Sequence, residues 1–306
     1  MTRKPLAPGE SVAKTHPWAL RPENWELVID VENRMKILAT DLDRTLLPNG
    51  EWEADKGAIN LFNELTEKQG VLVVYVTGRN LTLAQDAIRE YGVRYPHVLI
   101  GDVGTTIRKY EQGDWHFDEG WITHVEQASP KWNADRIREA VAGVDGIKEQ
   151  EHEHLNQFKQ SYCLDHERSD EILKKVDTLV KGKFDEVIVY SFDSVGDRGL
   201  IDFLPNSATK QTALEHVAEE FGEEKKNVVF CGDSGNDIFP LTAGFRGVLV
   251  RNADEQLVKN VKAAMAENPD LWAYFATGNF KGLNGYYASG VIEGAYHYGL
   301  LSDTPQ

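Results

Sequence analysis

The sequence predicts an α/β fold: a doubly wound, mostly parallel sheet into which a second, smaller α/β domain is inserted. Short apolar segments alternate with helical patterns from residue 35 to about residue 100, and again from about residue 205. This alternation is typical of a parallel sheet covered by helices on both faces. The block between these regions has strands that alternate apolar and polar side chains, which favours a sheet with one solvated face.

The first half of the sheet is predicted from residues 36–100. The apolar run Ile37 to Ala39 indicates a buried strand that leads directly into Asp41 and Asp43. The spacing then predicts, in order, a helix over 55–68, a strand over 71–76, a helix over 81–91 and a strand over 97–100. Connections between such strands should be right-handed crossovers, so we expect a Rossmann-like core.

The inserted block and the second half of the core follow. The pattern in the insertion predicts helices over 132–144 and 169–180 and strands over 157–164, 186–192 and 199–204. After it we expect helices over 209–221, 254–266 and 285–301, and strands over 227–231 and 245–250. The predicted division is therefore a core of residues 35–112 and 205–306, an insertion of residues 113–204, and a leader of residues 1–34 that is either flexible or packed on the core.

Composition narrows the class of protein. The chain has 306 residues with 41% hydrophobic and 27% charged residues, which is ordinary for a globular protein. Its formal net charge of −16 argues against nucleic acid and anionic membranes as partners. Two cysteines suit a reducing compartment, and no apolar run approaches the roughly 18 residues of a membrane span. We therefore expect a cytoplasmic protein, and a monomer.

Polar side chains follow three of the predicted strands at their carboxyl ends. Asp41 and Asp43 follow the first strand, Thr77 follows the second, and the sequence from Gly232 to Asp237 follows a later one. Because a doubly wound sheet brings such strand ends into one crevice, these groups should meet there. Converging carboxylates repel one another, and a hard divalent cation such as Mg²⁺ relieves that repulsion. The candidate metal ligands are Asp41, Asp43, Asp233 and Asp237.

A metal beside these carboxylates indicates phosphoryl transfer. Asp41 is the candidate nucleophile and Asp43 the candidate general acid and base. Thr77 and Lys210 are the other catalytic candidates, because a carboxylate that attacks a phosphate dianion needs the phosphoryl charge neutralised. The candidate substrate-binding residues lie in or beside the same motifs and are Thr45, Gly78, Arg79, Thr105 and Asn236.

These motifs together resemble the haloacid dehalogenase-like hydrolase superfamily, whose four motifs are matched by Asp41 to Thr45, Thr77 to Arg79, Lys210, and Gly232 to Asp237. The resemblance covers about residues 35–301, and the insertion is similar to the α/β cap of sugar-phosphate phosphatases. The segments 103–107, 204–210 and 287–298 are similar to the sucrose-phosphate phosphatase branch. That resemblance implies Mg²⁺-dependent hydrolysis of sucrose 6-phosphate, with the sugar held between core and cap.

The chain departs from those patterns at three places: Arg44 stands where the superfamily usually has glycine, Gln211 follows Lys210 where the branch has glycine, and residues 1–34 are additional. None of these is expected to touch a reacting group. The cap residues that are candidates for contacting the sugar are Lys159, Tyr162, Tyr190, Asp197 and Arg198. The segment 149–154 contains Glu and His residues, but their spacing fits no known metal site and predicts a solvated loop.

Three alternatives stay open at this point. The substrate could be another glycosyl phosphate, such as mannosylfructose phosphate or glucosylglycerol phosphate. A phosphosugar mutase would return the phosphoryl group to a different hydroxyl group of the sugar. A non-catalytic module associated with a sugar-phosphate synthase would keep the fold without the reaction, and association with such a synthase is also compatible with catalysis.

Overall fold

A computed structural model describes residues 35–193 and 196–303, and within them the predicted α/β class is confirmed. The predictions for residues 1–34 lie outside the described residues. The strands are β1 Ile37–Thr40, β2 Leu72–Val76, β3 Val98–Gly101, β4 Thr106–Glu111, β5 Asp114–Phe117, β6 Ile147–Glu149, β7 Gln160–Leu164, β8 Glu186–Asp193, β9 Arg198–Pro205, β10 Val228–Gly232, β11 Arg246–Leu249 and β12 Trp272–Phe275. The α-helices are α1 Ala58–Lys68, α2 Leu81–Tyr91, α3 Glu119–Ala128, α4 Ala134–Val141, α5 Ser169–Val180, α6 Lys210–Glu220, α7 Ile238–Thr242, α8 Glu255–Glu267 and α9 Ala288–His297. No helix among the described residues is long and apolar enough to cross a membrane.

The larger sheet, here called the core sheet, has the order β12-β11-β10-β1-β2-β3-β4-β5 in the described part of the chain. The pairs from β12 to β3 are parallel, as the alternation of strands and helices predicts. β4 and β5 are antiparallel additions at one edge. Their direction follows from the short connections, because only antiparallel neighbours can be joined by a tight turn.

Helices cover both faces of the core sheet. Alternate residues of β1 point to opposite faces, so Leu38 packs with Phe62 of α1 while Ile37 and Ala39 pack on the side that carries α6. One apolar cluster contains α1, α2 and α9, and the other contains α3, α6, α7 and α8. β1 and its neighbours are thereby buried on both sides, which explains why their sequences are almost wholly apolar.

The smaller sheet, here called the cap sheet, has the antiparallel order β6-β7-β9-β8. Its outer face is covered by α4 and α5, which pack Ile137, Ile172 and Val176 against the strands. The opposite face of the cap sheet is turned towards the core. One face is thus apolar and covered by helices, and the other is available for a ligand.

The core is larger than the sequence predicts. β5 pairs with β4, and α3 buries Trp121 and Val125 against the core sheet, so the core continues well past the boundary predicted at residue 112. The hairpin β4–β5 and the strand β12 were not expected from the sequence. They are short or partly exposed elements whose pairing is decided by their neighbours, and such segments carry a weak periodic signal.

Candidate active site

The site begins where β1 and β10 end side by side. The amide of Asp41 donates a hydrogen bond to the carbonyl of Cys231 at 2.9 Å, which continues the parallel pairing one residue beyond β1. Asp233 follows β10 directly. A Cβ on Gly232 would lie 2.6 Å from Cγ of Asp237, so only glycine leaves room for the Asp237 carboxylate beneath this loop. That carboxylate accepts hydrogen bonds from the amides of Asp233 and Ser234 at 3.0 and 3.1 Å.

Three buried carboxylates meet at this point. Asp41, Asp233 and Asp237 each offer an oxygen, and these oxygens lie within 4.8 Å of one another. Burial raises the pKa of Asp41 to about 7, and burial together with Asp237 and Asp41 raises the pKa of Asp233 well above its usual value. Both pKa shifts have the same origin: negative charges that are desolvated and close together repel one another, which favours the protonated form of each carboxyl group.

Lys210 lies within this group. Its Nζ donates to Asp41 Oδ1 and Asp237 Oδ1, both at 2.9 Å, and to Asn236 Oδ1 at 3.0 Å. Desolvation alone would lower the pKa of Lys210, but the two carboxylates outweigh it and raise the pKa above its usual value. Lys210 is therefore a fixed positive charge. With the guanidinium group of Arg44, which lies 3.3 Å from Asp233, two positive charges face three carboxylates and leave them under-neutralised.

The donor set fits a hard divalent cation. The three ligand candidates supply only oxygen atoms, and Oδ2 of Asp233 is buried and accepts no hydrogen bond, although it forms an ion pair with Nε of Arg44 at 3.3 Å. A buried oxygen without a donor is costly unless an ion or water completes it. Oxygen-only coordination at a phosphate site is what Mg²⁺ prefers. The residues present thus fit the metal that the sequence predicts.

The start of α6 fixes Lys210. Thr209 caps this helix, and Thr209 and Thr212 exchange side-chain and backbone hydrogen bonds as a capping box. The turn that carries Gly104 lies against the same point: a Cβ on Gly104 would be 2.5 Å from the amide nitrogen of Lys210. Gly104 has φ of 107°, and its carbonyl accepts from Nε1 of the buried Trp121. Two separate segments therefore hold the backbone of Lys210 in place.

Asp43 has a different environment from the other predicted metal ligands. Its oxygens accept from Arg79, at 2.8 Å from Nε and 2.6 Å from Nη2, and from Asn49 at 2.5 Å. The carboxylate thus takes part in a two-bond ion pair instead of joining the cluster of three. A metal-ligand role for the Asp43 side chain stays a prediction, while its position at the edge of the cleft suits proton transfer.

The remaining predicted residues divide into two groups. Gly78, Arg79 and Asn236 line the cleft above the carboxylates. Thr45, Thr77 and Thr105 are buried: Thr45 donates to Asp233 Oδ1 at 2.8 Å, Oγ1 of Thr77 accepts from the amide of Arg79 at 3.2 Å, and Oγ1 of Thr105 accepts from Asn156 of the cap at 3.0 Å.

The cleft lies between core and cap and has a volume of about 580 Å³. Lys210 and Asp237 lie beneath its floor. Its lining from the core is Asp41, Asp43, Arg44, Asn49, Gly78, Arg79, Leu83, Val103, Asp233, Ser234 and Asn236; its lining from the cap is Gln150, His154, Lys159, Ser191, Phe192, Asp193, Arg198, Leu200 and Asp202. Of the cap candidates for sugar contact, Lys159 and Arg198 line the cleft, whereas Tyr162 and Tyr190 pack inside the cap.

Sequence reasoning missed several residues of this cleft. Gln150 and His154 belong to the segment interpreted as a solvated loop, and Ser191 and Asp193 lie near the end of β8. Only the alternation of β8, which places every second residue on one face, could have indicated the latter two. The structure adds a contact for Arg44, whose Nε lies 3.3 Å from Oδ2 of Asp233, so this departure contacts a candidate metal ligand.

The cap lies close over the core. Val103 of the core packs with Val189 and Leu204 of the cap, and Nδ2 of Asn80 donates to the carbonyl of Glu153 at 2.7 Å. These contacts flank the cleft and leave its polar interior enclosed on two sides. A ligand in the cleft would meet residues of both domains.

Comparison with known proteins agrees with this geometry. The family model of sucrose-6F-phosphate phosphohydrolase matches residues 34–299. A relative from Nitrosococcus oceani, named "Putative HAD-like hydrolase", is 36% identical over 86% of this chain and 71% of its own length. "Probable sucrose-phosphatase 2" of Arabidopsis thaliana is 29% identical over 77% of this chain, which spans 55% of that plant protein.

Among solved structures, the sucrose-phosphatase of Synechocystis, determined in complex with sucrose and phosphate, has a similar fold. Its TM-score is 0.71 at 24% identity, and the match covers 87% of this chain and 98% of that chain. The likeness in structure agrees with the match of the family model over most of the described residues. The chain therefore belongs to the sucrose-6F-phosphate phosphohydrolase family of haloacid dehalogenase-like hydrolases.

Proposed function

We propose that the protein is a Mg²⁺-dependent phosphatase that acts through an aspartyl-phosphate intermediate. Its substrate is the phosphate ester of an uncharged sugar, and sucrose 6-phosphate is the first candidate. The observation that carries the proposal is the group of Asp41, Asp233, Asp237 and Lys210 at the floor of a polar cleft. A nucleophile, a fixed cation and a candidate metal site meet there, and phosphoryl transfer needs all three.

In the first step, a carboxylate oxygen of Asp41 attacks phosphorus, and the bond from phosphorus to the sugar oxygen breaks. Asp43 gives a proton to that oxygen, so the sugar leaves as a neutral alcohol. The pair between Asp43 and Arg79 has to open for this transfer, and Arg79 is then free to contact the phosphoryl oxygens. Mg²⁺ held by Asp41, Asp233 and Asp237 would offset the negative charge on the phosphoryl group.

In the second step, Asp43 takes a proton from water, and the water oxygen attacks the phosphorus of the aspartyl-phosphate. The acyl phosphate bond breaks, which frees Asp41 and inorganic phosphate. Lys210 holds Asp41 in place through both steps by its 2.9 Å hydrogen bond. The buried floor excludes bulk water from the nucleophile, and electrostatic attraction is stronger there than in solution.

The charges of the cleft support a neutral sugar. Each carboxylate in the described lining has a cation within 4 Å; the pairs are Asp41–Lys210, Asp43–Arg79, Asp193–Arg198, Asp202–Lys159 and Asp233–Arg44. A second charged group on the substrate would have to displace one of these pairs. Sugar hydroxyl groups, in contrast, can exchange hydrogen bonds with paired side chains and with Gln150 or Ser191.

The test is phosphate release with Mg²⁺ over a substrate panel. It contains sucrose 6-phosphate, mannosylfructose phosphate, glucosylglycerol phosphate, trehalose 6-phosphate, glucose 6-phosphate, fructose 6-phosphate and, as a cationic sugar, glucosamine 6-phosphate. We expect sucrose 6-phosphate to exceed the others at least tenfold in kcat/KM, which is about 1.4 kcal/mol of transition-state binding. If the enzyme preferred the phosphate of another uncharged sugar, the proposed substrate would change and the proposed phosphatase reaction would stand.

Two results would overturn the reaction itself. Phosphate transfer between hydroxyl groups of one sugar, without phosphate release, would identify a phosphosugar mutase. Binding of Mg²⁺ without any turnover of the panel would favour the non-catalytic module. Co-purification with a sugar-phosphate synthase would bear on the partner alone, because it is compatible with either outcome for the reaction.

A further inference from the structure

Arg44 has a strained backbone and a defined position. Its φ is 59°, in the left-handed region that side chains other than glycine seldom adopt. Two asparagines hold it there: its amide donates to Asn49 Oδ1 at 2.7 Å, and its carbonyl accepts from Nδ2 of Asn252 at 2.6 Å. Strain that the surrounding residues maintain is found mostly at functional positions.

The side chain of Arg44 bridges two carboxylates. Its Nε lies 3.3 Å from Oδ2 of Asp233, and its Nη2 donates to Asp254 Oδ1 at 2.7 Å. Asp233 is almost fully buried, whereas Asp254 is partly exposed just ahead of α8. The amide of Asp254 also donates to the carbonyl of Asp233 at 2.8 Å, so the bridge joins segments that are already bonded.

Arg44 and Lys210 divide the three buried carboxylates between them. Lys210 contacts Asp41 and Asp237, and Arg44 contacts Asp233, so each carboxylate already has one cationic neighbour. A divalent cation on the same oxygens would meet the positive charge of both side chains. Lys210 is required by the proposed reaction, but Arg44 contacts none of the reacting atoms.

We propose that Arg44 is a positioning residue that weakens the binding of divalent cations by neutralising Asp233. This inference rests on the proposed function, in which Asp233 is a metal ligand. The charge of Arg44 and the bound cation are negatively coupled through that carboxylate, and the coupling acts equally in both directions. The cluster of carboxylates is thereby stabilised without a metal, and the metal binds more weakly than it would beside an unpaired Asp233.

Removal of Arg44 should leave the ligand geometry in place. Thr45 still donates to Asp233 Oδ1 at 2.8 Å, and Asp233 remains buried between β10 and the loop that carries Asp237. Glycine suits the backbone at φ of 59° better than arginine does. The charge effect should therefore dominate over any loss of order at Asp233.

The experiment measures cation binding on the full chain without substrate. Bound Mn²⁺ is followed by the loss of the free-ion electron paramagnetic resonance signal, and Mg²⁺ by competition with it. The variants are Arg44→Gly and Arg44→Gln, which remove the charge, and Arg44→Lys, which keeps it. Arg89→Gln removes a charge from an exposed pair on α2 and is the matched control.

We expect both charge-removing variants to bind Mn²⁺ and Mg²⁺ about tenfold more tightly than the wild type. An increase in affinity of about threefold is the smallest that would support the inference. Arg44→Lys and Arg89→Gln should stay within twofold of the wild type. A merely structural Arg44 would instead give weaker binding in both charge-removing variants.

Weaker binding, or a change below threefold in both Arg44→Gly and Arg44→Gln, would overturn the inference about Arg44. Circular dichroism shows whether each variant is folded, and agreement between these two variants separates the charge from the backbone strain. If the wild type itself bound no divalent cation, the proposed function would fail with the inference. If the wild type bound divalent cations and the variants bound them with the same affinity, only the inference about Arg44 would fail, and the proposed function would stand.

Discussion

At the scale of single residues, the site depends on charges that are buried together. Burial, together with the nearby charge of Asp237, raises the pKa of Asp41 to about 7, although the ammonium group of Lys210, which donates to Asp41, acts in the opposite direction. Such an arrangement is costly for stability, because the desolvation of buried charges can outweigh the attraction between the paired groups. This cluster of buried charges at the end of β1 is explained by a catalytic role, since apolar side chains at the same positions would make the fold more stable.

Asp41→Asn should abolish turnover and keep the fold. An amide cannot act as the nucleophile, so we expect kcat to fall by about a thousandfold or more. The loss of one buried negative charge should leave the melting temperature unchanged or raise it. Phosphate release and thermal unfolding measure the two effects, and Asp86→Asn in the exposed pair on α2 is the control. Wild-type turnover in Asp41→Asn would rule out the covalent mechanism.

His97 should make the protein sensitive to acid. Burial, with a smaller contribution from Arg94, lowers the pKa of His97 from 6.5 to about 4, so the folded protein holds this side chain neutral. Below about pH 6.5, His97 is protonated in the unfolded chain but stays neutral in the folded chain. The free energy of unfolding therefore decreases as the pH falls towards 4.

His97→Asn should therefore flatten the fall in the free energy of unfolding between pH 7 and pH 4.5. Asparagine can still accept the hydrogen bond that the amide of Val73 donates to Nδ1 of His97 at 2.9 Å. Denaturant unfolding at a series of pH values measures the slope, and His116→Asn on the exposed β5 is the control. An equally steep slope in His97→Asn would assign the acid sensitivity to other groups.

At the scale of secondary-structure elements, the turn after β3 positions the start of α6. Gly104 approaches the backbone of Thr209 and Lys210 so closely that a Cβ has no space. The same turn contains Asp102 and Val103 with φ of 52° and 63°. This strained turn connects the core sheet, the cap contact at Val103 and the backbone of Lys210.

Gly104→Ala should reduce both stability and activity. The new Cβ would have to push the start of α6 away, so Lys210 would move relative to Asp41 and kcat should fall at least tenfold. Gly113→Ala is the matched control, because Gly113 has a similar φ of 93° but nothing within 4 Å of its Cβ position. Both variants carry the strain of a positive φ, about 1 kcal/mol; equal activity in the two would show that the contact is unimportant.

At the scale of the whole molecule, two sheets enclose one cleft. The core supplies the carboxylates and Lys210, and the cap supplies polar groups that face them. The apolar contact of Val103, Val189 and Leu204 joins the two domains beside the cleft. Chemistry on the phosphoryl group depends on the core, whereas contact with a sugar requires the cap.

Val189→Ser should separate these two contributions. A hydroxyl group in the apolar contact weakens the closed arrangement, so we expect KM for the sugar phosphate to rise severalfold. Hydrolysis of p-nitrophenyl phosphate, which has no sugar, should change less than twofold. Thr178→Ser on α5, an exposed position of the cap, is the control. Equal losses with both substrates would indicate a role of Val189 in the fold of the cap alone.

The sequence by itself determined the α/β class, the central strands and the positions of the four motifs. These features are local: an apolar run such as β10 is visible as such, and a carboxylate directly after it can only lie at the strand end. Residues of the first and fourth motifs meet because the parallel neighbours β1 and β10 end at one edge of the sheet, and Lys210 joins them from the start of α6. The cluster of Asp41, Lys210, Asp233 and Asp237 could therefore be predicted.

The tertiary structure decided what depends on contacts between distant segments. The pairing of β5 with β4, the docking of α3 on the core, and the position of Gln150 and His154 in the cleft have no local pattern in the sequence. The same holds for the pairs of Asp43 with Arg79 and of Arg44 with Asp233, which join residues 36 and 189 positions apart. Motifs determine which chemical groups the site contains, whereas packing determines which of those groups neutralise one another.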